Sequence, residues 1–143
     1  MNDFSSDSEL LDAINNGELT PSAQVLALLQ ELQDRLAALV ARGEQHCIDI
    51  RSLPLSPDDR EFLLQFLGNG EVSANVNALG LSEIKETRFS GVWWLTHYNE
   101  RAEMMAELIE VTPLPDILKT QDPDLLHGIE ALRRCLQKLQ THR

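Results

Sequence analysis

Basic residues, aromatics and cysteines are all in short supply in this chain of 143 residues. Twelve Lys and Arg stand against 23 Asp and Glu, a net charge of −11. Such a surface repels a phosphate backbone, and no Lys/Arg-rich patch offsets it, which argues against nucleic acid as a partner. A basic peptide or a basic protein surface is the better electrostatic match. The two cysteines, Cys47 and Cys135, are far apart and show no Cys-x-x-Cys or Cys/His ligand spacing. No apolar run approaches the ~20 residues needed to span a bilayer, which argues against membrane insertion. The polar, acidic start Met1-Asn2-Asp3-Phe4-Ser5-Ser6-Asp7 lacks the cationic head and apolar core of a secretory signal. A reducing cytoplasm is the expected location.

Motifs of the common enzyme classes are missing too. Gly68-Asn69-Gly70 runs into a strand pattern, whereas a phosphate cradle needs a helix N-terminus behind it. There is no Gly-x-Ser-x-Gly and no His-Glu-x-x-His. No catalytic residue, metal or cofactor is expected on these grounds.

What is present describes an ordinary globular chain, 43% hydrophobic and 24% charged, of single-domain length. Residues 1–19 read as a mobile N-terminal segment with a short helix from Ser8 to Asn16, and residues 20–143 as one domain. Thr20 followed by Pro21 predicts a helix start, and Gly43 its end. Within it Val25, Leu29, Leu32, Leu36 and Leu39 are spaced 4, 3, 4, 3. The last helix repeats the spacing with Leu125, Ile129, Leu132, Leu136 and Leu139, capped by Asp122 before Pro123. Packing of these two helices on a sheet or on each other is expected, with a homodimer through one seam as the alternative.

Between them the period changes. His46 to Arg51 reads as a short strand, and Ser56-Pro57-Asp58-Asp59 as the start of a helix ending near Gly68. Val72, Ala74, Val76 and Ala78 alternate with polar residues, the clearest half-buried strand pattern in the chain. Further strands are predicted over residues 82–89, 92–98 and 106–112, the last stopped by Pro113 and Pro115. Short connections make the pairing antiparallel. The fold class is α+β: a mainly antiparallel four- to five-stranded sheet with flanking N- and C-terminal helices.

The candidate functional residues follow from this layout. Trp93 and Trp94 are adjacent on one strand, so their indoles point to opposite faces. Either both pack under helices or one meets a partner, as aromatic anchors do. Glu71, Glu83 and Glu86 are expected to form an acidic patch, either solvated beside Lys85 and Arg88 or contacting a cationic peptide. The partner-binding set is therefore Glu71, Glu86, Trp93 and Trp94. His46-Cys47 offers two metal-type ligands, but strand neighbours diverge. A Cys–His dyad between Cys47 or Cys135 and one of His46, His97, His127 or His142 is conceivable, yet Cys135 beside the last helix's seam reads as a buried, inert thiol.

Read together, Leu53-Pro54-Leu55-Ser56-Pro57-x-Asp59, Leu67-Gly68-x-Gly70-Glu71-Val72-x-Ala74, Leu79-Gly80-x-Ser82-x-Ile84-x-Glu86-Thr87 and Gly91-Val92-Trp93-Trp94 resemble a known pattern. It is the C-terminal conserved region of the HupH/HyaF hydrogenase expression and formation proteins; Ile109-Glu110-Val111-Thr112-Pro113-x-Pro115 fits the same pattern. The resemblance covers about residues 53–122. It implies an accessory factor for nickel–iron hydrogenases, a chaperone-like binder of the iron–sulfur small-subunit precursor or of other maturation factors. It brings no catalytic residues. The helix from Pro21 to Arg42 stands where longer members have other sequence. The alternative class is a small metal- or cofactor-handling enzyme using His46, Cys47 or the Glu71/Glu86 carboxylates.

Overall fold

A computed structural model describes residues 4–142. The chain divides into two compact units, Met1–Pro113 and Leu114–Arg143. The prolines that stop the last strand, Pro113 and Pro115, flank the division.

The first unit is built on an antiparallel sheet of five strands: β1 (His46–Asp49), β2 (Ser73–Asn77), β3 (Leu81–Glu86), β4 (Val92–Tyr98) and β5 (Met104–Val111). Their spatial order is β1-β5-β4-β3-β2. Strands β2 to β5 form a meander of short turns, and β1, arriving from the N-terminal side, pairs with β5 at the far edge. Helices α1 (Asp7–Asn15), α2 (Ala23–Arg42) and α3 (Pro57–Leu67) precede or interrupt it. Val25, Leu28 and Leu32 of α2 and Leu63 and Leu67 of α3 close over Ile48, Val92, Trp94, Ile109 and Val111 to make the main core. Burying five or more such side chains is the dominant stabilising contribution. The opposite face carries Ile84, Trp93 and Leu95, also buried.

Strand β4 shows what the centre of the sheet demands. Five consecutive residues, Val92 to Thr96, are buried. A strand buried on both faces reads as a continuous apolar run, without alternation. The alternating β2 pattern, by contrast, belongs to the sheet edge: Ala74 and Val76 are only half-buried and Val72 is exposed. Gly80 turns the chain between β2 and β3 at φ 123°, and a Cβ there would lie 2.1 Å from the Tyr98 carbonyl oxygen. Only glycine satisfies both conditions.

Several boundaries differ from the sequence reading. Helix α2 begins at Ala23 with Ser22 as its cap, whose Oγ accepts from the Val25 N–H at 3.2 Å. Thr20 and Pro21 lie in the approach to it, where the fixed proline φ suits extended chain. Helix α3 starts as expected, with reciprocal Ser56–Asp59 capping. Strand β1 stops at Asp49, because the Asp49 carboxylate accepts from the Arg51 N–H and nucleates a 3₁₀ turn over Ile50–Ser52. Strand β3 ends at Glu86: Thr87 exchanges hydrogen bonds with the Phe89 backbone and starts the turn. The expected mobile start falls partly on residues 1–3, which lie outside the described residues. From Phe4 onward the segment is tied down, since Arg88 donates to the Phe4 carbonyl at 2.8 Å and Leu10 and Ala13 are buried.

The second unit comprises a 3₁₀ turn, Asp116–Leu118, and helix α4 (Asp122–Thr141). Its N-cap is Gln121, not Asp122, and no side chain caps it. Its seam residues Leu125, Ile129, Leu132, Leu136 and Leu139 are all exposed. Cys135, read as a buried thiol, is exposed as well.

Candidate functional site

The tryptophan pair is held by hydrogen bonds on both faces of β4. Trp93 stands opposite Glu86 on β3 and Glu110 on β5, and its Nε1 donates to the Thr112 carbonyl at 2.9 Å. Trp94 stands opposite Lys85 and Ile109, and its Nε1 donates to Glu107 Oε2 at 3.3 Å. Their exposures are 3% and 4%. Of the two readings open in the sequence, packing on both faces describes their burial here.

The acceptor beneath Trp94 was not singled out in the sequence. Glu107 is 1% exposed, and Arg60 of α3 clamps its carboxylate, Nε to Oε1 at 2.6 Å and Nη2 to Oε2 at 2.5 Å. The carboxylate in turn raises the Arg60 guanidinium further above its ordinary value. A charge this deeply placed is tolerated only when paired and hydrogen-bonded. One signal was legible: Glu107 shares strand parity with Ile109 and Val111, an acid at an inward position.

Trp94 also walls a cleft of about 220 Å³ with Glu61, Asn69, Lys85 and Thr87. The loop entering β2 runs along this end of the sheet. Gly70 donates its N–H to the Glu86 carbonyl at 2.7 Å, and a Cβ on Gly70 would lie 3.1 Å from Glu86 Oε1. Glu71 follows, exposed, so the loop carries it beside the Glu86 backbone. Glu86 and Trp93 share one face, whereas Trp94 and Lys85 share the other. The four partner-binding candidates thus gather at one end of β3 and β4 but divide between its two sides.

No ion pair among the described residues engages Glu71, Glu83 or Glu86. Arg88 spends its guanidinium on main-chain oxygens, those of Phe66 at 2.9 Å and Phe4 at 2.8 Å. At the other end of the meander, Glu83 and Glu100 border a cleft of about 650 Å³ with Tyr98 and the tip residue Leu79, which is 89% exposed.

The histidines and cysteines do not converge. His46 Nε2 lies 3.6 Å from Glu31 Oε1, while Cys47 points to the other face beside Glu110. Partial burial first, then the Glu110 and Asp49 charges, push the Cys47 thiol up, which disfavours the reactive thiolate. His97 Nδ1 and Ser82 Oγ lie 2.6 Å apart across β3 and β4, a pair not anticipated from sequence; neither residue lines the two clefts described above. Among the described residues no group of three or more His, Cys, Asp or Glu side chains is placed to hold a metal ion. No described helix is long and apolar enough to cross a membrane.

Comparison with known proteins places this geometry. Residues 23–139 match the model of the HupH hydrogenase expression protein, C-terminal conserved region. The match extends well beyond residues 53–122 and takes in α2 as well as most of α4. A hydrogenase-1 operon protein HyaF of Escherichia coli is 43% identical over 97 residues, 68% of this chain and 34% of that protein. A hydrogenase expression/formation protein HupH of Rhodobacter capsulatus is 30% identical over 114 residues, 80% of this chain and 41% of that one. The chain therefore spans well under half the length of these relatives. The solved structure of a hydrogenase expression protein HupH from Thiobacillus denitrificans superposes with a TM-score of 0.79 at 36% identity, covering 83% of this chain and 99% of that one. With sequence and architecture in agreement, the chain belongs to the HupH hydrogenase expression protein family, through that family's C-terminal conserved region.

Proposed function

We propose that the protein is a non-enzymatic assembly factor that holds a nickel–iron hydrogenase subunit before maturation is complete, the iron–sulfur small-subunit precursor being the client. The observation that carries this reading is the unneutralised acid at one end of the sheet. No ion pair among the described residues engages Glu71 or Glu86: the adjacent Lys85 lies on the opposite face of the strand, and Arg88 is committed to backbone oxygens. The exposed Glu71 and half-buried Glu86 carboxylates suit a basic segment such as a twin-arginine leader, because complementary charge raises the encounter rate and fixes orientation. The tryptophans act from beneath: Trp94 walls the cleft, and Trp93 fixes the strand that carries the acids' neighbours. Such a site grips and releases without bond chemistry, in keeping with names in the family that refer to expression and formation.

The test is charge reversal. Glu71→Lys with Glu86→Lys should weaken capture of the small-subunit precursor at least tenfold while the thermal melt stays within a few degrees of the parent. Retention of full binding by this variant would remove the acidic surface from the mechanism.

A further inference from the structure

Strand β2 is one edge of the sheet, and half of its backbone faces outward. Hydrogen bonds from the Glu86 N–H to the Val72 carbonyl and from the Ala78 N–H to the Gly80 carbonyl set its ladder with β3. Antiparallel bonding alternates, so Ala74 and Val76 bond to β3, while Ser73, Asn75 and Asn77 turn their N–H and C=O groups away from it. Among the described residues no hydrogen bond reaches these outward groups. Native sheets blunt such an edge with charge, proline, a bulge or a very short strand. The far edge does so: β1 has four residues, carries Asp49 and is cut off by the 3₁₀ turn. Ser73-Ala74-Asn75-Val76-Asn77 has none of these devices.

This edge leads into the cleft at the tip of the meander. Asn77 belongs to both, and Glu83, directly opposite Asn75, borders the cleft with Glu100 and Tyr98. The Asn99 side-chain oxygen accepts from the Arg101 and Glu103 N–H groups and so fixes the loop that carries Glu100. No ion pair among the described residues engages Glu83 or Glu100, and no Lys or Arg lines the cleft. Lys85, opposite Ser73, puts positive charge at the other end of the same face.

We propose that the β2 edge and the tip cleft together dock an extended, basic segment of another protein, which joins the sheet as an added strand. The backbone dictates the conformation, because outward N–H and C=O groups at alternate residues are satisfied by a strand. Charge dictates the partner: a net −11 on each copy disfavours self-pairing and favours a cationic segment. An antiparallel strand, the geometry of the rest of the sheet, meets the cleft with its N-terminal half. Its side chains opposite Asn77 and Asn75 share a face with Glu83, one strand further in. At the ordinary strand spacing that is roughly 10 Å, within reach of an arginine. Tyr98 adds an aromatic ring to the cleft that receives the same cation. The intervening side chains lie on the face of Ala74 and Val76 and are apolar. The segment that fits therefore alternates basic and apolar residues in its first half. This inference stands apart from the client-binding reading, which uses Glu71 and Glu86, and its test uses a synthetic peptide.

The probe is the blocked peptide Arg-Val-Arg-Val-Thr-Val-Thr, and the readout is amide hydrogen exchange on the full chain by nuclear magnetic resonance. In the free protein Ser73, Asn75 and Asn77 should exchange fast while Ala74 and Val76 are protected. Saturating peptide should slow the three outward amides about tenfold or more. Methylating the peptide's Arg and Thr backbone nitrogens, which face β2, should abolish binding, whereas methylating its Val nitrogens should not. Glu83→Gln with Glu100→Gln should weaken the peptide several-fold and leave the melt unchanged. A peptide that leaves the three amides unslowed overturns the proposal. So does equal binding of the two methylated forms, unchanged affinity in the double variant, or equal binding of Glu-Val-Glu-Val-Thr-Val-Thr. Protection of those amides in the free chain that fades on dilution would put a second copy on the edge, and overturns it too.

Discussion

Helices α2 and α4 are both 20 residues long and carry the same 4-3-4-3 spacing of large apolar residues, yet they have opposite fates. In α2, Val25 is fully buried and Leu28 and Leu32 nearly so, closed over a sheet. In α4 the equivalent residues are all exposed. The caps follow the same division: Ser22 satisfies a first-turn N–H of α2, while Gln121 offers α4 no side-chain bond. Periodicity reports that a helix has an apolar side. It does not report what covers that side, because the covering element is supplied by topology or by another molecule.

The largest expected break in this comparison lies outside both helices, in the clamp that joins α3 to the sheet. Arg60→Ala leaves Glu107 buried with only the Trp94 N–H, and should lower stability by about 3 kcal/mol, the low end for a broken buried pair because Arg60 itself is partly exposed. Chemical denaturation checks this, with near-ultraviolet dichroism reporting the surroundings of the Trp94 indole. Next comes the direct contrast. Leu32→Ala in α2 should cost about 2–4 kcal/mol as transfer plus cavity, whereas Leu132→Ala in α4 should cost the folded chain less than about 0.5 kcal/mol. Equal losses in denaturant melts of the two variants would erase the distinction between the seams.

Smaller effects sharpen it. Ser22→Ala should destabilise by about 1 kcal/mol, the usual value of a helix cap, while Gln121→Ser should raise the helix content of α4 detectably by far-ultraviolet dichroism. The smallest concerns pH. Hydrogen bonds from the Ser56 N–H and then the Ser22 hydroxyl hold the Asp59 carboxyl below its ordinary value of 3.8. A depressed folded-state value means the contribution is fully present above 3.8 and is lost as pH falls through the lower folded value. The stability gap between parent and Asp59→Asn should therefore be constant near neutrality and close only in strong acid.

Much of the fold was legible because local chemistry and tertiary demand agree. The Ser56-Pro57-x-Asp59 start of α3, the αL glycine Gly43 ending α2, and the turns at Gly80 and Gly91 are each set by backbone requirements that few residues meet. What escaped is equally specific. The order of strands could not be read, since nothing in His46–Asp49 announces that it pairs with β5, more than 50 residues away. The cleanest alternation, in β2, marked an edge strand, whereas the central strand β4 has no alternation to detect. For the candidate site, the acids and tryptophans were visible as residue types. The clamp of Arg60 on Glu107 was not, because it joins α3 to β5 across 47 positions.

The central claim is that this family member grips a hydrogenase precursor through exposed acid. Titrating the full chain with the iron–sulfur small-subunit precursor by calorimetry, at low and then raised salt, tests it most directly. Saturable binding that weakens several-fold as salt screens the charges is the predicted result. No binding, or binding indifferent to salt, would contradict it.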